Sequence, residues 1–345
     1  MQGMNNQLRW GIIGTGTIAK TFAKGVAGST SGVVVAVGSR DQASAEAFGN
    51  EFNIPRRFGS YDALLADEQV QAVYISTPHP MHKEWAIKSA AAKKHILCEK
   101  PIGMNAAEAE QIVAAARTHD VFLMEAFMYR CHPQIAKVLD LIREGKIGQV
   151  RVIQSSFSFH WPIEYDAKSR LLAAELGGGG ILDVGCYATS FCRLIAGVAN
   201  GKDFAEPTEL HATGYLGRTG VDEWTVAVAK FPGDILAQLS TGVQCEQENV
   251  CRVYGSEGWI LVPDPWIPSR DGSPSKIILH RRGEPSQELS IQPPTGLYSL
   301  EADHVAAHIS RRQAPSPAMT WDDTLGNMRM LDQWRKAIGL KYPGE

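Results

Sequence analysis

The chain has 345 residues, 44% of them hydrophobic and 21% charged, and a formal net charge of -3. At ~150 residues per domain this length suggests about two domains with ordinary soluble cores. The charge balance offers no basic field to hold a phosphate backbone, which argues against a nucleic-acid partner.

Residues 1–9 lack the charged-then-apolar pattern of an export signal. Every long apolar stretch is interrupted; the one over 171–198 contains Glu175, Asp183 and Arg193, so no membrane span is expected. The six cysteines include no CxxC pair, which fits reduced thiols and a cytoplasmic location. An apolar run over 9–13 reads as a strand ending in a glycine-rich turn, and 18–26 follows with helical spacing. Next come a strand over 33–38, helices over 43–48 and 61–65, and a strand over 72–76 stopped by Pro78 and Pro80. A helix over 84–92, a strand over 95–98, a helix over 106–118 and a strand over 121–124 complete the series. Strands alternating with helices of this length predict βαβ units and a parallel sheet.

After about residue 148 the pattern changes. A strand over 150–159 and a helix over 181–195 are followed by strand-like runs over 209–215, 224–231, 235–241, 249–254 and 259–262. A short strand over 276–280 and helices over 298–310 and 322–336 close the chain. The fold class is therefore α/β. It combines an N-terminal Rossmann-type doubly wound sheet over 1–127 with a C-terminal α+β domain over 128–345. The second domain is expected to carry a large, mostly antiparallel open sheet, and the last helices are free to pack back on the first. Such a sheet, covered on one face only, predicts a homodimer, or a dimer of dimers, through the open face.

Two regions carry chemistry. The first is Gly14-Thr15-Gly16-Thr17-Ile18-Ala19, a G-x-G-x-x-A string between the first strand and the first helix. Gly14 permits a tight turn, Gly16 lets backbone approach a diphosphate, and the helix start offers free N–H groups. At the end of the second strand stand Ser39 and Arg40, where NAD enzymes usually carry an acid. A hydroxyl and a guanidinium suit a 2′-phosphate, so NADP(H) is favoured over NAD(H). Asp41 reads as the N-cap of the following helix. Ser76, Thr77, Pro78, His79 and His82 follow the fourth strand and are expected to pass the cofactor rather than hold a metal. Hydride transfer from nicotinamide requires no metal.

Glu99-Lys100-Pro101 ends the fifth strand, where ligands sit in an open α/β sheet. The proline restricts the Lys100 backbone, and an aimed ammonium there can favour an alkoxide on a neighbouring hydroxyl. In the second region, four glycines over 177–180 open the helix bearing Asp183 and Tyr187, whose spacing of four places them on one helical face. The glycines are expected to let this helix start press on a neighbour such as a nicotinamide edge.

The ordered set G-x-G-x-x-A, Ser39-Arg40, Glu99-Lys100-Pro101 and G-G-G-x-x-x-D-x-G-x-Y resembles the glucose-fructose oxidoreductase / inositol dehydrogenase / rhizopine-catabolism (Gfo/Idh/MocA) superfamily. The resemblance extends to residues 125–134 and 298–304, nearly the whole chain. It implies that Lys100 is catalytic and, because position 187 is Tyr rather than His, it points to the Tyr branch. That branch holds glucose-fructose oxidoreductase, NADP-dependent D-xylose dehydrogenases and dimeric dihydrodiol dehydrogenase. The implied reaction moves hydride between nicotinamide and a sugar or diol carbon. Tyr187 takes the hydroxyl proton, Lys100 lowers the pKa of that phenol, and Asp183 orients Lys100 or a substrate hydroxyl. Glu99 joins the cofactor set, and Phe127, Arg130, Phe157, His160 and Trp161 are the candidate substrate contacts. An aldose dehydrogenase of D-xylose type is favoured, with a ketosugar reductase, a trans-dihydrodiol dehydrogenase and a non-catalytic NADP-sensing regulator as alternatives.

Overall fold

In the computed structural model, which describes residues 7–345, the chain divides into two units. Most of the segment read for an export signal lies outside the described residues. Among the described residues, the first unit comprises 7–103, 107–131 and 294–324; the second holds 104–106, 132–293 and 325–345.

The first unit is built on β1 (Leu8–Ile13), α1 (Thr17–Val26), β2 (Gly32–Gly38), α2 (Gln42–Phe52), β3 (Arg56–Phe58) and α3 (Tyr61–Leu65). It continues through β4 (Ala72–Ile75), α4 (His82–Ala91), β5 (His95–Glu99), α5 (Ala106–His119) and β6 (Leu123–Ala126). All six strands are parallel, in the order β3-β2-β1-β4-β5-β6. The order reverses between β1 and β4, and in such sheets ligands bind beyond the carboxyl ends of the strands at that point. Strands buried on both faces must be continuously apolar, as β4 is and β1 is from Trp10 onward. Trp10, Phe22 and Tyr74 anchor the core, with Phe22 stacked on Tyr74 at 3.8 Å between ring centroids. Asp41 caps α2, its carboxylate accepting from the Ser44 amide at 2.8 Å, as expected.

The second unit begins with α6 (Pro133–Arg143), a helix the sequence reading missed. His132 is its N-cap and Pro133 its first residue, a start signal hidden because His is an unusual cap. β7 (Val150–Ser158) follows, then a π-helical turn over Ile181–Gly185 that runs directly into α7 (Cys186–Ala199). The remaining strands are β8 (Glu209–Leu216), β9 (Asp222–Phe231), β10 (Ile235–Gly242), β11 (Cys251–Gly255), β12 (Gly258–Val262), β13 (Ser275–Arg281) and β14 (Gln287–Ile291). They form an eight-stranded sheet in the order β14-β13-β12-β11-β7-β10-β9-β8, antiparallel except where β10 pairs with β7. α7 lies against β7 and β10 and is buried on every side; the helical run Ala174–Ala199 is apolar and long enough to cross a bilayer, yet it is a core helix. On β9 the alternation is complete: Thr225, Ala227 and Ala229 point inward, while Trp224, Val226 and Val228 face out.

α8 (Leu297–His308) belongs to the first unit and packs on α1. The Ser299 hydroxyl donates to the Gly25 carbonyl at 2.7 Å, and Gly25 has no room for a side chain beneath Tyr298. α9 (Trp321–Ala337) closes the chain, with Trp334 Nε1 donating to Thr225 Oγ1 at 3.0 Å.

Candidate active site

On the first unit, β1 delivers the chain into the glycine turn at Ile13. Gly14 takes φ +107°, a conformation L side chains rarely adopt, and a Cβ there would lie 2.8 Å from Ser76 Oγ. Ser76 in turn donates to the Ile13 carbonyl at 2.9 Å, tying the end of β1 to the loop after β4. Gly16 behaves differently. It is the N-cap of α1, its side-chain position is open space to 4 Å, and α1 has no acidic residue in its first turn. The first amides of α1, beginning with Thr17 and Ile18 behind Thr15, thus face an uncrowded cradle at the positive end of a helix dipole. These residues fit a dinucleotide diphosphate. Beyond β2, Ser39 is buried with its amide on the Phe58 carbonyl at 3.0 Å, and Arg40 is exposed. The Asp41 carboxylate is committed to α2, its pKa lowered chiefly by the Ser44 amide.

The loop after β4 departs from expectation at His82. This ring is fully buried, with Nδ1 2.8 Å from the Pro101 carbonyl oxygen and Nε2 2.8 Å from the Thr77 carbonyl oxygen. Both ring nitrogens are occupied by backbone, so His82 is a strut between two loops and not a cofactor contact. His79 and Thr77 are buried in the same loop, next to Pro78. Glu99 is likewise turned inward, its carboxylate accepting from the Tyr74 hydroxyl. The turn that carries Lys100 is held just past it, where the Pro101 carbonyl meets His82 Nδ1 and the Ile102 amide donates to Glu125 Oε1 at 2.9 Å. Phe127 and Arg130 are each 1% exposed, and Arg130 pairs with buried Asp323 at 2.6 Å. Its guanidinium also donates to the Pro317 carbonyl, so Arg130 serves the interior of this unit, in place of the expected substrate contact.

On the second unit, Gly178, Gly179 and Gly180 have close neighbours in the protein itself. A Cβ at Gly178 would lie 2.8 Å from Leu171 backbone, one at Gly180 2.9 Å from Gly242, and one at Gly179 would strike the Asp222 carboxylate. Close packing within the unit requires glycine at these three positions. Asp183 sits in the π-turn ahead of α7, so a straight α-helix through both it and Tyr187 is not what forms. Asp183 is 4% exposed and accepts from Arg170 Nη1 at 3.0 Å. Tyr187, also 4% exposed, meets Phe157 at 5.2 Å and Trp266 at 5.6 Å between ring centroids. Phe157 and Trp266 stack at 8°, and Trp266 Nε1 donates to the Ser156 carbonyl at 2.8 Å. His160 bridges to Gln244 beside β10, and Trp161 is 56% exposed.

Arg170, Asp222 and Trp266 escaped the sequence reading. Trp266 had one signal, a large apolar residue inside the proline-rich stretch 263–268. Arg170 and Asp222 had none.

Residues 8–127 match the family model described as "Oxidoreductase family, NAD-binding Rossmann fold", and residues 135–261 match the "GFO/IDH/MocA C-terminal domain". The chain belongs to the Gfo/Idh/MocA oxidoreductase family. Among curated relatives of this Gfo/Idh/MocA protein is a trans-1,2-dihydrobenzene-1,2-diol dehydrogenase of Xenopus tropicalis. It is 32% identical over 341 residues, covering 97% of this chain and 99% of the relative. The mouse enzyme of the same name is 33% identical over 97% of this chain and 98% of its own length. Among solved structures, a 3-ketoreductase from Actinomadura kijaniata in complex with NADP and TDP-benzene aligns at a TM-score of 0.84 with 26% identity, covering 96% and 98% of the two chains. An aldose-aldose oxidoreductase from Caulobacter crescentus complexed with glycerol aligns at 0.84 with 25% identity, covering 96% and 97%. This Gfo/Idh/MocA protein is an NAD(P)-dependent oxidoreductase acting on hydroxyl groups.

Proposed function

We propose that the protein is an NADP(H)-dependent dehydrogenase of a small cyclic vicinal diol, oxidising one ring hydroxyl to a carbonyl. The observation that carries this reading is Tyr187, a titratable hydroxyl seated beside the stacked rings of Phe157 and Trp266. Phe157, partly exposed and backed by buried Trp266, offers an apolar face to a ring, and Tyr187 beside it a proton acceptor to the ring's hydroxyl. The whole-length relatives named as trans-dihydrodiol dehydrogenases support the same substrate class.

In this proposal the Gly14–Ile18 turn holds the cofactor diphosphate, and Ser39 with Arg40 holds the 2′-phosphate. The loop Ser76-Thr77-Pro78-His79 lies along the cofactor. NADP(H), when bound, takes up or returns the hydride. Tyr187 accepts the hydroxyl proton, Lys100 stabilises the developing alkoxide, and Asp183, paired with Arg170, orients a substrate hydroxyl. The second reading is an aldose 1-dehydrogenase of D-xylose type, favoured by the likeness to an aldose-aldose oxidoreductase; a ketosugar reductase would run the same chemistry in reverse.

A panel of trans-diols, aldoses and ketosugars with NADP+ or NADPH, followed at the nicotinamide absorbance band, tests the proposal. The highest kcat/KM is expected for a cyclic trans-diol with NADP+. Lys100→Met and Tyr187→Phe are expected to lower kcat by about 100-fold or more with cofactor affinity retained. Tight NADPH binding without turnover of any substrate would instead make the protein a dinucleotide sensor. The outward row Trp224, Val226 and Val228 with Leu236, each 40–52% exposed, supports the homodimer expected through this sheet. Sedimentation equilibrium measures it.

A further inference from the structure

The Asp222 carboxyl is fully buried at the start of β9, directly beneath the turn that leads into α7. Its Oδ2 accepts from the Ile181 amide at 2.7 Å, and the Gly180 amide also faces it. Its Oδ1 is buried with no hydrogen-bond partner among the described residues. A carboxyl in this position does what an N-cap side chain does, yet it comes from a strand 41 residues further along the chain. Gly179 and Gly180 are side-chain-free where this carboxyl and Gly242 press against them. On the other side of the glycine run, the Tyr342 hydroxyl, also buried, donates to the Gly178 carbonyl at 2.6 Å.

We infer that Asp222 is a positioning residue for Asp183 and Tyr187: its ionised carboxyl pins the amides that open the π-turn, and Tyr342 pins the carbonyl just before them. The inference rests on the proposed role of Tyr187 in handling the substrate proton. Geometry makes the two side chains depend on this anchor, because Ile181 is the first residue of the turn containing Asp183 and that turn continues into α7 without a break. An ångström of misplacement at a reacting group costs on the order of 100-fold in rate.

The anchor is also charge-dependent. Burial pushes the Asp222 pKa up to about 7, against the pull of the Ile181 and Gly180 amides and of Arg335 on α9. Tyr342 faces Asp222 and is itself faced by Arg335, Glu345 and Asp183, and Glu223 is adjacent on β9. The carboxylate accepts both amides with its full charge, whereas protonation on the unpartnered Oδ1 leaves Oδ2 a neutral and weaker acceptor. Activity is therefore expected to rise with pH as Asp222 ionises.

The test uses the NADP+-loaded full chain with its best diol substrate, from pH 5.5 to 9. The native enzyme is expected to show an inflection near neutrality; Asp222→Asn is expected to abolish it and to lower kcat by about 10- to 100-fold with cofactor affinity unchanged. NMR of protein carrying 13C-carboxyl aspartate is expected to show a resonance titrating over the same range and missing in the variant. A native kcat and pH profile in Asp222→Asn, while Tyr187→Phe is inactive, overturns this inference and leaves the proposed function standing. A fully active Tyr187→Phe removes the reading beneath it. Should Asp222→Asn fail to fold, Tyr342→Phe gives the same readout: it is expected to lower kcat several-fold and move the inflection, and an unchanged profile overturns the inference.

Discussion

His82 stands between two loops of the nucleotide-binding unit, its Nδ1 2.8 Å from the carbonyl oxygen of Pro101, the residue directly after Lys100. Its other nitrogen holds the Thr77 carbonyl at 2.8 Å, so a single ring fixes the distance between the loop after β4 and the lysine turn. Burial pushes this ring toward its neutral form, which satisfies one of the two carbonyls, while the two carbonyls favour the cation. His82→Leu keeps volume and strips both bonds. It is expected to destabilise by about 1–3 kcal/mol, the cost of orphaning the one carbonyl the neutral ring satisfies, and to weaken NADPH binding. Urea denaturation and cofactor fluorescence titration measure both; a loss below ~1 kcal/mol contradicts the strut.

Arg130 and Asp323 form an ion pair with neither side chain more than 2% exposed. Removing one partner strands the other charge in a dry interior, at a cost of about 3–5 kcal/mol. Arg130→Ala is therefore expected to fall in that range, and the double variant with Asp323→Ala to cost much less than the sum of the single changes. The substrate KM of folded Arg130→Ala enzyme is expected to match the native value. A KM raised tenfold in stable protein would return Arg130 to the substrate site.

The cap of α6 predicts a pH dependence. His132 Nδ1 accepts from the Gln134 amide at 3.1 Å, which requires an unprotonated nitrogen, and burial pushes the ring pKa down to about 4. In the unfolded chain the same ring titrates near its ordinary value of 6.5. Between those values the unfolded state binds the extra proton. The His132 contribution is therefore complete above pH 6.5 and is lost as the pH falls through 4. His132→Asn caps without titrating. Relative to this variant, the native protein is expected to lose about 2 kcal/mol between pH 8 and pH 5, read from paired urea curves. Parallel curves at both pH values would contradict the assignment.

Cofactor choice is expected to lie with Arg40. It is exposed at the end of β2, and the neighbouring carboxylate of Asp41 is already bound to the Ser44 amide. A guanidinium on a 2′-phosphate contributes about 1.5–3 kcal/mol, so Arg40→Ala is expected to raise the KM for NADP+ by about 10- to 100-fold. The KM for NAD+ is expected to stay put. Equal loss with both cofactors would place Arg40 outside nucleotide recognition.

Much of the first unit was legible residue by residue. The apolar runs of β1, β2, β4 and β5, the glycine turn at Gly14 and Gly16 and the Asp41 cap are local signals, and each forms where expected. The helix at Pro133 and the short strands β3 and β14 were missed because their starts carry weak cues or their runs are brief.

The sequence alone determined the alternation of strands and helices and the glycine turn after β1, and it singled out Lys100, Asp183 and Tyr187 as the groups to which chemistry is proposed. The alternation and the turn follow from periodicity and from backbone preferences that act over a few residues, while the catalytic roles are what the family resemblance implies. Only the tertiary structure decided that His82 is a strut, that Arg130 answers Asp323, that Arg170 and Trp266 stand beside Asp183 and Tyr187, and that the glycines make room for Asp222. Each of those pairings joins positions distant in the chain. What decides them is which buried polar group can reach a partner and which Cβ would collide, and neither leaves a periodic trace in the order of the amino acids.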